Sequence, residues 1–173
     1  MTENEKQVIL ASLEKGADAL LSAVNGVTDE LAVRVSTPVR WSILQCVEHV
    51  SLAEDYLFFL IKTAKRTDLP LVNEQREILI ATRGADRSVK RESPPYALPK
   101  GQFSTLHEAL QGFIVSRERT IQFVKTNEED LHYRIAAHPI IGTVNCYEVL
   151  LLMAVHPARH AKQIEESKAV LAS

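Results

Sequence analysis

A chain of 173 residues is long enough for one domain with a substantial core. Hydrophobic residues make up 46%, charged residues 24%, and the formal net charge is −2. That balance excludes a global electrostatic attraction to nucleic acid or to an anionic membrane.

The longest apolar runs, such as 56–61, are far shorter than the ~20 residues a membrane helix needs. The opening MTENEKQ lacks the charged-then-apolar layout of a secretion signal. Cys46 and Cys146 are the only cysteines and make no disulfide framework, so a cytoplasmic, reducing location is expected. Leu, Ala, Glu, Gln and Lys are plentiful and β-branched runs are sparse, which favours helices.

Thr2 with Glu5 forms a capping-box pattern. Ile9, Leu13, Ala17, Leu20, Leu21 and Val24 then recur at helical spacing, and Asn25-Gly26 stops the run. The pattern predicts a first helix over about 3–25, then a polar connection with a short turn that ends at Pro38. A second helix follows Trp41, capped by Ser42 with Gln45. Its polar side is read as Glu48, Ser51, Asp55 and Lys62, with Cys46, Val50, Ala53, Leu57 and Leu60 opposite and His49 on the border. It is expected to fray over 66–68, before Pro70.

Residues 68–103 are the least regular, interrupted by Pro70, Pro94, Pro95 and Pro99. Residues 73–83 can form a short helix closed by Gly84. The locally basic run 83–100 reads either as a solvated loop or as a lip that recruits anions. So long a connection inside a compact domain is explained if it crosses between two parallel neighbouring helices.

A third helix opens at Ser104 or Thr105, the latter with Glu108 as its box, and ends near Asn127. Its stripe is Leu106, Leu110, Phe113, Ile114, Ile121 and Val124. Arg117 lies close to that stripe, where it can snorkel or hold an acidic substrate group. His132, His138, Pro139 and Gly142 belong to the next connection, and His138 can serve there or reach a site mouth. Asn145 with Glu148 caps a fourth helix that continues to about residue 170. The expected architecture is all-α: a single four-helix bundle over 1–173, up-down-down-up, with the long crossover between the second and third helices.

The fourth helix carries the residues around which a site can be organised. His156 and His160 are four apart and therefore share a face, one turn apart. The apolar stripe of Val149, Leu152 and Met153 leads to them and resumes at Ile164. Two imidazoles there need separate hydrogen-bond partners or one shared partner, and a divalent metal can be shared. The plainer reading is two ordinary histidines, one buried and one at the rim. Pro157 sits between them and would free the Met153 carbonyl, either kinking the helix or restarting it at Pro157. If the second helix faces the fourth, His49 completes a three-histidine set that leaves coordination positions open. Gln163 can orient an imidazole or a bound water, or be an exposed helix former. Tyr56 is an acid/base or substrate-facing candidate, or core. Cys146, in the first turn, can have a thiol pKa lowered by the helix dipole or be a buried structural thiol.

The residues WSILQCVEH, 41–49, resemble the helix signature of the DinB-like family, in which a tryptophan and a cap precede a histidine. HPIIG followed by NCYEVLLLMAVHPARHAKQI is similar to that family's C-terminal signature, a loop proline and glycine before H-x-x-x-H and Q-[IL]. The resemblance implies a four-helix bundle whose His49, His156 and His160 bind one divalent metal. Zinc or nickel is the first expectation, iron or manganese the next. Relatives include transferases and isomerases that use low-molecular-weight thiols, so the expected partners are a small-molecule substrate, such a thiol, and a second copy in a homodimer. The leading expectation is thiol activation and transfer. Metal-dependent hydrolysis is the alternative, weakened because no carboxylate falls on the histidine face. A third is a non-catalytic metal-binding module of a stress response.

Overall fold

The computed structural model describes residues 1–37, 40–88 and 92–172. Pro38, and residues 89–91 of the basic run, lie outside them. Six helices are present among the described residues: α1 Glu3–Val24, α2 Asp29–Ala32, α3 Ile43–Thr63, α4 Glu74–Arg83, α5 Leu106–Thr126 and α6 Cys146–Leu171. The capping boxes at Thr2, Ser42, Thr105 and Asn145 all form, so each long helix starts where a side chain satisfies its first backbone amides. None of the described helices is long and apolar enough to cross a membrane.

The four long helices make a bundle in which α1 packs on α6 and α5, and α3 packs on α5 and α6. Ser51 lies beside Gly112, Asp55 accepts from Ser116, and Phe58 meets Phe123 edge-on, so α3 and α5 meet in matching order through these contacts. Gly16 lies against Ala154, and Lys168 donates to the Ala23 carbonyl, so α1 and α6 do likewise. One buried cluster gathers Ile9, Leu13, Leu57, Leu150 and Met153. The other gathers Leu20, Ile43, Val47, Phe113 and Ile164.

A small antiparallel sheet departs from the all-helical expectation. β1 Lys65–Arg66, β2 Arg134–His138 and β3 Gly142–Asn145 pair in that order. β1 lies where the second helix was expected to fray. The strands are too short and too weakly alternating to be read from sequence, and pairing rather than propensity holds them. Gly142 takes a positive φ of 76° at the hairpin. His138 accepts there from the Ile140 and Ile141 amides, so it serves the turn and not a site mouth.

Of the face of α3 read as polar, Asp55 and Lys62 are exposed, but Glu48 and Ser51 are buried. Glu48 is 1% exposed, because its carboxylate accepts from the amides of Lys100, Gly101 and Gln102. The connection between α3 and α5 thus folds back over α3, and three amide donors satisfy the buried carboxylate. Ser51 and Glu54 are buried on the same helix.

Helix α6 runs unbroken through Pro157. The Met153 carbonyl, which Pro157 cannot serve, accepts from the Arg117 guanidinium at 2.7 Å. Arg117 also donates to the Leu13 carbonyl and to Glu54 at 2.8 and 2.9 Å. It neither snorkels nor faces a substrate. It ties α5 to α1, α3 and α6, and Glu54 and Arg117 are both about 2% exposed.

Gly16 is required by close approach: a Cβ there would collide with the Ala154 carbonyl oxygen. Gly16→Ala is therefore expected to destabilise the chain by about 1–3 kcal/mol through overpacking. In an open helix the same change would stabilise by up to about 1 kcal/mol. A urea midpoint that falls with an unchanged slope checks the sign.

Candidate metal centre

His49 stands two turns into α3, and His156 and His160 stand one turn apart on α6, which crosses it. The three rings converge through the same nitrogen. His49 Nε2 and His160 Nε2 each lie 3.1 Å from His156 Nε2. One ligand atom from each residue falls within 4.8 Å of the others, and no carboxylate joins the cluster among the described residues. His49 and His160 are buried, whereas His156 is half-buried and gives the cluster an edge toward solvent.

The outer ring nitrogens show which tautomers are present. His49 Nδ1 is 2.6 Å from the Ala97 carbonyl oxygen, which can only accept, so Nδ1–H donates and Nε2 keeps its lone pair. Ala97 lies in the 3₁₀ turn Pro95–Ala97, in the connection between α3 and α5. His160 Nδ1 is 3.1 Å from Gln163 Oε1, which also accepts from Arg87 at 2.9 Å. Two lone pairs thus point at His156 Nε2, which has one proton at most to offer. A cation at the meeting point satisfies all three nitrogens, and this donor set suits a divalent transition metal.

Burial holds the three imidazoles below their ordinary pKa. For His49 the bond to Ala97 opposes that shift. For His156 and His160 the lowering is larger, with neighbouring rings and arginines adding to burial. The imidazoles are therefore neutral near pH 7, as ligation requires. Trp41 covers the cluster, its ring 4.8 Å from His49 and stacked 6.4 Å from His160.

The model of the DinB superfamily matches residues 12–164. The chain belongs to the DinB superfamily. Two solved structures share its fold. TT2238, a four-helix bundle protein, is 19% identical, with a TM-score of 0.61 over 93% of this chain and 98% of its own. YfiT from Bacillus subtilis is 16% identical, with a TM-score of 0.63 over 99% of this chain and 90% of its own. YfiT is described as a probable metal-dependent hydrolase with an unusual four-helix bundle topology. No match was found among curated protein sequences.

In this DinB-superfamily chain Gln163 touches His160 directly. Tyr56 instead stacks on Tyr96, their ring centroids 3.5 Å apart, beside the turn that holds His49. Burial pushes the Cys146 thiol up to about 12, against the lowering that a helix N-terminus offers. His132 lies between Asp130 and Glu77, in a separate polar cluster. The residues that sequence reasoning missed come from the connection between α3 and α5: Arg87, Ala97 and the amides of 100–102. The basic composition of 83–100 marked the run that contains Arg87 but said nothing of that residue or its partner.

Proposed function

We propose that this protein is a divalent-metal-dependent enzyme in which His49, His156 and His160 hold the ion and an exogenous anion completes the coordination. The observation that carries the reading is the convergence of three Nε2 atoms with no carboxylate among them. Three neutral ligands leave the ion's positive charge uncompensated, which favours an anionic fourth ligand, a low-molecular-weight thiolate first among them. When bound, the ion supplies Lewis-acid activation of a coordinated thiol or water. The chain's own residues set the rest. Ala97 and Gln163 orient His49 and His160, Trp41 shields one side, and the exposed edge of His156 admits the substrate. We also read the bundle as up-down-down-up with its crossover between α3 and α5. The matching order of contacts between α3 and α5, and between α1 and α6, supports that topology.

Hydrolysis is the second reading, favoured by the likeness to YfiT. Cobalt substitution separates the two. A thiolate ligand adds an intense sulfur-to-metal absorption that oxygen ligands lack. In the transferase reading an added low-molecular-weight thiol produces that band in the wild type and in His132→Ala, but not in His160→Ala. If no thiol in a panel perturbs the spectrum while simple esters or amides are turned over by metal-loaded protein, hydrolysis replaces transfer. A spectrum unmoved by any exogenous ligand, with no turnover, would leave the non-catalytic module.

A further inference from the structure

The geometry points to Arg87 as a positioning residue that selects the metal-binding tautomer of His160 by fixing the side-chain amide of Gln163. This rests on the three-histidine reading above and extends it to a residue of the crossover that touches no imidazole nitrogen.

An amide side chain can present either its oxygen or its NH₂ to a neighbour, and the two choices have opposite consequences here. Facing His160 with its oxygen, Gln163 accepts from Nδ1–H, and Nε2 is left with the lone pair a metal needs. Facing His160 with its NH₂, Gln163 would donate to Nδ1, and the ring proton would move to Nε2 and block the site. Arg87 decides between them. A guanidinium can only donate, and Arg87 Nη1 lies 2.9 Å from Gln163 Oε1. The flipped amide would set donor against donor. Gln163 Oε1 lies 3.1 Å from His160 Nδ1 on its other side.

Glu166 holds the guanidinium in place. It accepts from Arg87 Nε and Nη2 at 2.9 and 3.0 Å, which leaves Nη1 for Gln163. This bidentate fork fixes the guanidinium plane. Residues 163 and 166 are one turn apart on α6, following His160, so one helix face presents the ligand, the amide and the anchor to one arginine. His49 reaches the same end through a fixed backbone carbonyl at Ala97, which cannot flip. The Gln163 arm is the one whose amide can flip, and that arm carries an arginine.

Two measurements test the role. In metal-free protein, imidazole ¹⁵N shifts above the ordinary imidazole pKa report the tautomer of each ring. Wild type should show His160 with its proton on Nδ1, whereas Arg87→Ala should show Nε2–H or a mixture, with His49 unchanged. In cobalt(II) titrations of the whole chain, Arg87→Ala should bind about 10–100-fold more weakly, the usual size of an outer-shell loss. Simple electrostatics predicts the reverse sign, because removing a nearby positive charge should tighten cation binding. In a Gln163→Glu background, Arg87→Ala should cost little affinity, since a carboxylate accepts from His160 in either orientation.

Far-UV circular dichroism confirms that the variants are folded. Should even wild type fail to bind cobalt(II), the ¹⁵N shifts still decide, and the failure belongs to the metal reading. A His160 proton that stays on Nδ1 in Arg87→Ala, or cobalt binding equal to or tighter than wild type, overturns the proposal.

Discussion

Arg117→Ala is expected to destabilise the bundle by about 3–5 kcal/mol, the range for stranding one half of a buried ion pair. Glu54, 2% exposed, would keep Thr120 as a partner but lose its counter-charge. Burial already pushes its carboxyl pKa up, and the Arg117 charge is what most opposes that. The Met153 and Leu13 carbonyls would also lose their shared donor. Replacing both charges, as in Arg117→Met with Glu54→Leu, should recover much of the loss, because apolar substitution of a whole pair is often neutral. One debt would persist in that double variant, the Met153 carbonyl left open by Pro157. Pro157→Ala restores an amide to it, so this change should help the double variant more than it helps wild type. Urea midpoints across the cycle measure that coupling. If Pro157→Ala has the same effect in both backgrounds, Arg117 is not what satisfies Met153.

His160→Ala is expected to reduce divalent-metal affinity by more than the roughly 100-fold upper range of outer-shell losses, since a ligand itself is removed. His49→Ala and His156→Ala should behave alike, whereas His107→Ala and His132→Ala should retain the metal. Elemental analysis of protein purified without added metal, then titration, reads both outcomes. Chelation should leave far-UV helicity nearly intact, because α1, α3, α5 and α6 bury apolar faces of their own. It should still lower the melting temperature: an ion at 100 times its Kd adds about 2.7 kcal/mol. Loss of most helicity would instead mark the site as structural. Acid should act in the same direction. Burial lowers the folded pKa of all three rings, so the unfolded chain takes up protons first. Stability is therefore whole above the ordinary histidine pKa of about 6.5 and declines as pH falls below it.

Much of the architecture is local chemistry, and that is why it could be read in the chain. Capping boxes at Thr2, Ser42, Thr105 and Asn145 need residues only three apart, and apolar stripes need only the helical period. The candidate set His49, His156 and His160 was legible for a similar reason: an i, i+4 pair must share a face, and a facing helix, reinforced by a family signature, supplied the third member. Tertiary structure decided everything that depends on long-range partners. Glu48 looks solvated by its position on α3, yet the amides of 100–102 return to bury it. Pro157 looks like a break, yet Arg117, 36 positions before Met153 in the chain, satisfies the Met153 carbonyl it frees. The hairpin at 134–145 rests on pairing that its weak alternation does not announce. Which nitrogen of His49 and His160 faces the shared point is set by Ala97 and by Gln163 under Arg87, through contacts a one-dimensional pattern cannot encode. Local spacing along the chain was enough to set where helices begin and which side chains share a face. Only the folded chain determined which buried polar groups meet, because a hydrogen bond is specified by distance in space and not by separation along the chain.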